Sequence, residues 1–229
     1  MSRFAPGWRM SLAVAALLPV LIGLGVWQLQ RAAEKRGLEM RFYERLGAPP
    51  VTPPADAGQA DFLRVRLVGA YQAGHDYLVD NRIREGRPGY WVVSRFEAED
   101  GRLYLVNRGW LAAGADRDRL PAVPTPPGRV ALIGVVWPDL GLPPLLEADP
   151  WAPGWPKRVQ RLDVARMADG EPRIVAREIR LEPGQPGVFA AAPLQADFRP
   201  ERHRAYAAQW FGLALVLAGA YLVYGFRRS

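Results

Sequence analysis

Two histidines, His75 and His203, are the side chains best suited to acid–base or metal chemistry in this chain of 229 residues, which contains no cysteine. The absence of cysteine excludes disulfides, thiolate metal sites, cysteine nucleophiles and covalent c-type haem attachment. His75 stands alone in a predicted turn with Asp76 and Asp80 nearby, which favours a surface histidine over a base or a ligand. His203 lies at the mouth of the apolar run HRAYAAQWFGLALVLAGAYLVYGF (203–226), where a ligand, a proton carrier and an interfacial residue all remain open.

Motifs of the common enzyme classes are absent from the sequence, which contains no P-loop, GxSxG, HExxH or GxGxxG pattern. The net charge of +7 resembles that of a nucleic-acid-binding protein. However, four arginines lie outside the two apolar segments, and removing them from the 30 Lys and Arg leaves 26 against 23 acidic residues. These four are Arg3, Arg9, Arg227 and Arg228. Since no RNP, helix-turn-helix or zinc-finger pattern accompanies the remaining charge, we expect no nucleic-acid partner.

Two stretches place an arginine after an asparagine, with an aromatic residue close behind: DNRIREGRPGY (80–90) and VNRGW (106–110). Both lie in hairpin-forming sequence. We interpret Arg82 and Arg108 as framework residues that stack on aromatic rings or pair with acidic side chains. This interpretation is favoured over a binding site because exposed catalytic partners are missing from the sequence.

Two apolar segments must position these residues. Residues 11–29, SLAVAALLPVLIGLGVWQL, carry no charge over nineteen positions, close to the ~20 needed to cross a bilayer. Trp8 and Trp27 lie near the ends, where interfacial aromatic residues belong. The alternative is a cleavable signal peptide, but the apolar run is long for one and no small-x-small cleavage site follows it. We favour a retained anchor.

The second segment, about 205–226, contains Gln209 as its strongly polar residue, so the chain is expected to cross the membrane twice. The arginines of the short tails favour cytoplasmic termini, and no Arg-rich transit peptide precedes the first segment, which favours a bacterial inner (cytoplasmic) membrane. The predicted organisation is a cytoplasmic tail (1–10), a transmembrane helix (11–30), a periplasmic domain (31–202), a second transmembrane helix (203–226) and a cytoplasmic tail (227–229).

The region between the apolar segments is rich in strand patterns. We predict strands over 64–71, 76–80, 90–96, 102–110, 129–137 and 172–181, with turns at 72–75 and 97–101. Glu34–Leu46 is predicted to be a helix continuing from the first segment, and Asp163 to cap a short helix that ends near Met167. The fold class is therefore an α+β membrane protein, in which two transmembrane helices flank a mainly antiparallel β domain, as a sheet or a barrel.

Four stretches in this order carry a family resemblance: LGVWQLQRAAEKR, NRIREGRPGYWVV, LVNRGW and HRAYAAQWFGLA. They resemble the successive motifs of the Surfeit locus protein family, the cytochrome c oxidase assembly factors. Residues 47–62 and 139–156 add nothing to the match. The resemblance identifies these positions as family-motif framework: Trp27, Gln28, Arg31, Arg82, Gly89, Tyr90, Asn107, Arg108, Gly109, Trp110 and Gln209.

The resemblance implies a non-enzymatic inner-membrane protein that helps to insert or stabilise haem a in oxidase subunit I. Its implied partners are subunit I, other oxidase assembly factors and membrane lipid. It also implies haem a as a cofactor, with His203 as the ligand of the haem iron. Two alternatives are a cofactor-free scaffold for oxidase subunits and a membrane-tethered periplasmic enzyme, and the missing nucleophile, base and metal clusters count against the enzyme.

The second apolar segment is two-sided at ~100° per residue. One face carries His203, Leu217 and four aromatic residues that would line a planar ligand: Tyr206, Trp210, Tyr221 and Tyr224. The other carries Ala205, Ala208, Gly212 and Gly219, and is expected to pack closely on Gly23 and Gly25 of the first segment or on a helix of the oxidase. Arg202 and Arg204 would pair with haem propionates. The residues alone favour an interfacial belt of His203, Tyr206 and Trp210, and the resemblance favours haem ligation.

Overall fold

The computed structural model describes residues 4–54, 60–139, 141–142, 144, 149, 151–190, 192, 194 and 198–227. The chain forms two compact units. The first, here called the paired-helix unit, consists of Met1–Arg41 and Ala196–Ser229. The second, here called the barrel domain, consists of Phe42–Gln195. Arg3 and Arg228, which contributed to the predicted orientation, lie outside the described residues.

Two long helices carry the apolar segments: α1 (Trp8–Leu46) and α3 (Pro200–Arg227). Helix α1 includes the predicted extension Glu34–Leu46, so that prediction is confirmed. Both helices are long and apolar enough to cross a membrane, and in each the most apolar stretch is only 11% buried. A core helix of a soluble protein would be mostly covered, so these exposed apolar side chains suggest membrane anchoring.

In the paired-helix unit, α1 and α3 pack along positions that repeat every seven residues. On α3 these positions include the buried Ala207 and Ala214, followed by Tyr221, whose hydroxyl lies 2.8 Å from Ser11 Oγ. On α1 they include Gly25, where the Phe211 ring would come within 2.6 Å of an added Cβ. This repeat is typical of knobs-into-holes packing between helices.

The predicted small-residue interface between the two helices is wrong. Ala205 and Ala208 are exposed. Gly23, Gly212 and Gly219 have no atom within 4 Å of an ideal Cβ, so none of them lies at a close approach between α1 and α3. The alternative contact with a helix of the oxidase stays a prediction. The prediction grouped small residues on one side, whereas the contact follows the seven-residue repeat and uses Gly25 to admit an aromatic ring.

The barrel domain contains six strands and one short helix among its described residues. They are β1 (Arg64–Arg84), β2 (Arg87–Ala98), β3 (Leu103–Ala112), β4 (Val130–Trp137), β5 (Lys157–Val159), α2 (Val164–Ala168) and β6 (Ile174–Leu181). Hydrogen-bonded pairings run in the order β1, β2, β3, β6, β4 and back to β1, so five strands close a ring. Closure leaves these strands without the open edges of a flat sheet.

The sheet is mixed. Pairings β1–β2, β2–β3, β1–β4 and β4–β6 are antiparallel. Pairings β3–β6 and β1–β5 are parallel. The mainly antiparallel prediction therefore holds, with β6 inserted as a parallel neighbour of β3. Strand β5 was not predicted because three residues are too short to show an alternating pattern.

The predicted turn at 72–75 is wrong, because β1 runs through it as one strand. The register with β2 shifts between Tyr71 and Asp76, which marks a β-bulge, and Gly74 adopts φ +80° within it. A bulge bends a strand without ending it. This bend lets β1 pair with β4 through residues 64–69 and with β2 through residues 69–84.

Local sequence signals set the remaining connections. Glu85 and Gly86 join β1 to β2 with φ values of +51° and +75°, as a two-residue hairpin turn requires. The predicted turn before β3 is confirmed, with Gly101 at φ +78°. Helix α2 begins as predicted after Asp163, whose side chain accepts a hydrogen bond from the Arg166 backbone N–H.

Hydrophobic residues of the strands alternate between cores on the two faces of the barrel wall. One core joins the inner positions of β1, β2, β3, β4 and β6, including Leu67, Phe96 and Leu132. Another packs α2 and β5 against the wall through Met167 and Val159. Burial on both faces accounts for the near-continuous burial of β3, which the period-two pattern of a half-buried strand would not predict.

Candidate functional site

In the paired-helix unit, the side chains of His203 and Gln28 meet although they are 175 residues apart in the sequence. Nδ1 of His203 lies 2.8 Å from Oε1 of Gln28. An amide oxygen can only accept, so Nδ1 donates and carries the proton in this contact. In its neutral form the imidazole then keeps a lone pair on Nε2. Metal-binding histidines are commonly oriented in this way by a hydrogen bond at the other ring nitrogen.

The surroundings of His203 are only partly those predicted. Arg202, Arg204 and Gln209 are exposed, and Tyr206 is 54% exposed, while Trp210 is half-buried. The predicted ligand-lining face is divided, because Tyr221 turns towards α1 and contacts the Phe4 ring. The structure therefore brings His203 to Gln28, and it leaves the flanking arginines accessible.

Two other family-motif positions meet on α1: Trp27, which directly precedes Gln28, and Arg31, about one helical turn after it. The Arg31 guanidinium lies 5.8 Å from the centre of the Trp27 ring, and it pairs with Glu34 at 2.9 Å. Both Trp27 and Arg31 are exposed. An exposed cation–π pair of this kind contributes little to stability, so these positions suit the edge of an apolar layer better than a folded core.

In the barrel domain, Arg108 is a fully buried cation whose hydrogen bonds tie β3 to two loops. Its Nε donates to the Gly187 carbonyl at 2.8 Å and its Nη2 to the Pro124 carbonyl at 2.5 Å. Its Nη1 donates to Ser94 Oγ on β2 at 3.2 Å. The guanidinium also lies 4.8 Å from the ring centre of Tyr71. The N–H donors of the Arg108 guanidinium are thus largely used in hydrogen bonds inside the protein.

Asp76 supplies the negative charge beside this cation. Its Oδ1 lies 3.8 Å from Arg108 Nη1 and accepts a hydrogen bond from the Ser94 hydroxyl. Burial raises the pKa of Asp76, an effect that Ser94 and Arg108 oppose. Burial lowers the pKa of Arg108, and it raises the pKa of the Tyr71 phenol to about 12. The cluster is a desolvated ion pair held by neutral hydrogen-bonding groups.

The remaining barrel motif positions lock neighbouring strands together. Trp110 Nε1 donates to the Arg82 carbonyl at 2.6 Å. Gly89 lies beneath this indole, where a Cβ would come within 2.5 Å of Trp110 Nε1. Asn107 Oδ1 accepts from the Gly109 backbone N–H at 2.9 Å, and Gly109 has φ +96°. Tyr90 is buried. These positions have clear packing roles, in line with a framework.

Comparison with known proteins identifies the family of this chain. The model of the SURF1 family matches residues 15–215, a range that includes both His203 and Gln28 and the described strands of the barrel. The chain belongs to the SURF1 family.

Individual relatives within the SURF1 family are distant in sequence. A SURF1-like protein of Rickettsia felis is 28% identical over 106 residues, which is 45% of this chain and 47% of that protein. One of Dictyostelium discoideum is 31% identical, over 42% of this chain and 41% of its own length. Human Surfeit locus protein 1 is 28% identical over 88% of this chain and 73% of its own length. The chain thus spans less than half the length of the first two relatives.

Several charged and aromatic residues of this SURF1-family barrel were not predicted as site residues. Glu178 on β6 accepts from Asn107 Nδ2 at 2.6 Å and from Arg180 Nε at 3.0 Å. The Arg180 guanidinium lies 3.8 Å from the centre of the Trp137 ring. No local motif marks these residues, because the contact arises from the pairing of β6 with β3 and β4.

His75 occupies a different environment from the predicted one. Its ring is half-buried and lies 5.0 Å from the Trp155 ring, within the bulge of β1 rather than on an open turn. Over the described part of the chain, no group of three or more His, Cys, Asp or Glu side chains is placed to hold a metal ion.

Proposed function

We propose that this chain is a non-enzymatic, membrane-anchored assembly factor for haem-copper cytochrome c oxidase, and that it aids the insertion or stabilisation of haem a in subunit I. Membership of the SURF1 family supports this proposal. One relative, from Saccharomyces cerevisiae, is named cytochrome oxidase assembly protein SHY1 and is 26% identical over 46% of this chain. The proposed partners are subunit I, other oxidase assembly factors and membrane lipid, and no nucleic acid.

The observation that carries the haem proposal is the hydrogen bond between His203 and Gln28. In a neutral imidazole this bond fixes the proton on Nδ1 and leaves the lone pair on Nε2, the form in which an imidazole ligates iron. Haem, when bound, supplies an iron that accepts such an axial nitrogen. A histidine at a membrane interface does not by itself need a fixed tautomer, so the Gln28 contact favours a ligand over an interfacial residue.

The neighbours of His203 fit the outer parts of the same group. Arg202 and Arg204 are exposed on either side of it, and guanidinium groups pair well with carboxylates such as haem propionates. The side chains of Tyr206 and Trp210 follow within two turns of α3 and offer aromatic surface to a planar ligand. We assign cofactor contacts to these four residues and iron ligation to His203.

Topology is part of the proposal. We place α1 and α3 across the bacterial inner membrane, with both termini cytoplasmic and residues 31–202 in the periplasm. Arg9 and Arg227 near the helix ends support this orientation. Reporter fusions within residues 47–54 should show export. Reporter activity from the cytoplasm at these sites would reverse the orientation.

The test of haem binding uses the full chain, purified from cells that make haem a, and its visible spectrum. We expect haem absorbance in the wild type and its loss in His203→Ala, with the variant still inserted and abundant. The chain's other histidine provides the matched control, since His75→Ala should keep the spectrum. A haem-free wild type would favour a cofactor-free scaffold. An unchanged spectrum in His203→Ala would return His203 to an interfacial role.

A further inference from the structure

The barrel domain contains a cavity of about 200 Å³ whose wall combines cations, indole rings and aliphatic groups. Three arginines line it, namely Arg82, Arg177 and Arg180, together with Trp91 and Trp137. Aliphatic side chains, among them Leu162 and Val164 at the start of α2, complete an apolar wall. All of these residues belong to the barrel domain, so the cavity is distinct from the His203 site.

Arginine and tryptophan alternate along one side of this cavity. The Arg82 guanidinium lies 4.3 Å from the centre of the Trp91 ring. Arg180 lies 5.2 Å from the same ring and 3.8 Å from that of Trp137. Stacking uses the flat faces of a guanidinium, while its N–H groups point outwards in the guanidinium plane. The stack therefore holds cationic donors at fixed positions beside an apolar surface.

The charges of the cavity are unevenly compensated. The Glu178 carboxylate pairs with Arg180 at 3.0 Å and also accepts a hydrogen bond from Asn107, so its charge is already used by these two neighbours. Arg177 is half-buried, and its side chain forms no ion pair or hydrogen bond with any other residue that the structure describes. Asp139 also lines the cavity, and its Oδ1 accepts from the Gly141 backbone N–H. Three arginines thus face two carboxylates, and the Arg177 guanidinium has no ion-pair partner among the described residues.

Arg82 adds a second uncompensated donor. Its Nε is buried and has no hydrogen-bond partner among the described residues, although a buried N–H normally has one. Burial lowers the pKa of Arg82, whereas the nearby charge of Glu178 raises it. An acceptor supplied from outside would satisfy this nitrogen and remove a cost of leaving a donor buried and unpaired.

We propose that this cavity binds a carboxylate carried on a small apolar or aromatic body. A carboxylate accepts two parallel hydrogen bonds from a guanidinium, and the indole and aliphatic walls cover the apolar part. The volume equals that of about six to seven waters in the liquid, enough for a compact group of this kind. The apolar walls do not suit phosphate, which needs hydrogen-bond donors on every side. The inference is independent of haem binding.

The carboxylate has two sources that one experiment separates, a free carboxylic acid or the end of a peptide. The full chain in detergent is titrated by calorimetry with phenylacetate, with N-acetyl-alanyl-phenylalanine and with the amide of that dipeptide. We expect both acids to bind and the amide to give no heat. Binding of the dipeptide acid at least tenfold tighter than phenylacetate identifies a peptide terminus, and the reverse order identifies a free acid.

Variants of cavity residues test whether the acids bind inside the cavity. Arg177→Gln should weaken the tighter acid about tenfold, because it removes one charge-assisted pair. Arg129→Gln is the matched control and should bind as the wild type does, since Arg129 is exposed and pairs with Glu99 outside the cavity. Val164→Phe keeps every arginine, fills the cavity and should abolish binding. It therefore tests the site if Arg177→Gln does not fold.

Three results would overturn the proposal. The first is no heat from either acid at millimolar concentration. The second is an equal loss of affinity in Arg177→Gln and Arg129→Gln, which would indicate general attraction to a basic protein. The third is inorganic phosphate binding as tightly as the acids, which would indicate an anion site without preference for carboxylate.

Discussion

His203 in the paired-helix unit and Arg108 in the barrel domain differ in how much of their bonding capacity the protein uses. Arg108 donates to three protein acceptors and lies against aromatic rings. His203 has one ring nitrogen bonded to Gln28, and in the neutral imidazole the other nitrogen keeps its lone pair. A buried cation with its donors paired holds its neighbours in place, whereas an imidazole with a lone pair can take a ligand. We therefore expect variants of Arg108 to affect folding and variants of His203 to affect binding.

The largest effect that would test this comparison is that of Arg108→Ala. The change leaves Asp76 buried without its cation and removes three hydrogen bonds, so the free energy of unfolding should fall by about 3–5 kcal/mol. The measurement is thermal unfolding of the purified chain by circular dichroism, together with the amount of folded protein in cells. Arg129→Ala, at an exposed position, should change stability by no more than about 0.5 kcal/mol. Normal stability of Arg108→Ala with lost oxidase assembly would instead make Arg108 a partner or cofactor contact.

A smaller effect is expected when the acceptor beside His203 is removed. Gln28→Ala keeps the proposed iron ligand but no longer fixes its tautomer, so haem affinity should fall about tenfold, less than in His203→Ala. Haem titration of the purified protein, followed by absorbance, gives the affinity. The control is Gln209→Ala, an exposed amide on α3. Equal affinities in wild type and Gln28→Ala would show that the Gln28 contact serves helix packing alone.

The smallest effect concerns Asp76 and pH. Burial raises the pKa of Asp76 in the folded chain, so the folded state keeps this proton to a higher pH than the unfolded state does. Between the ordinary value near 4 and the raised value, stability therefore falls as pH rises, by at most ~1.4 kcal/mol per pH unit. The Asp76→Asn variant should lack this pH-dependent contribution to stability.

Unfolding measured at several pH values from 4 to 6 compares the slopes of wild type and Asp76→Asn. Glu99→Gln, which replaces an exposed carboxylate outside the buried cluster, is measured alongside as the control. A slope that is identical in wild type and Asp76→Asn would mean that Asp76 titrates alike in the folded and unfolded chains.

Much of the architecture follows from local sequence signals. The two apolar helices, the strands around 90–96 and 102–110, and the cap at Asp163 were predicted, because each depends on neighbours within a few residues. The wrong prediction of a turn at residues 72–75 also came from local sequence signals. Gly74 and its neighbours have the composition of a turn, and only the pairing of β1 with both β2 and β4 makes them a bulge.

The contacts of the candidate sites depend on long-range pairing and could not be predicted to the same extent. His203 and Gln28 were each noted as motif positions, yet their contact depends on which stripe of α3 faces α1, and that stripe was predicted wrongly. Asp76 reaches Arg108 only because β2 lies between β1 and β3 and carries Ser94. Such charge pairs are set by strand order and register, which composition and periodicity do not determine.

The position of β6 also constrains how the protein is made. Strand β6 is the last of the barrel strands along the chain, yet it lies between β3 and β4 and closes the ring. Strands β1, β2 and β3 can form hairpins as soon as they have reached the compartment in which the barrel folds, but the free edges of β3 and β4 stay open until residues 174–181 have followed. Open edges of this kind invite pairing with other chains. The nascent barrel is therefore most vulnerable to aggregation just before β6 joins it, and chains cut short before Ile174 retain that vulnerability permanently.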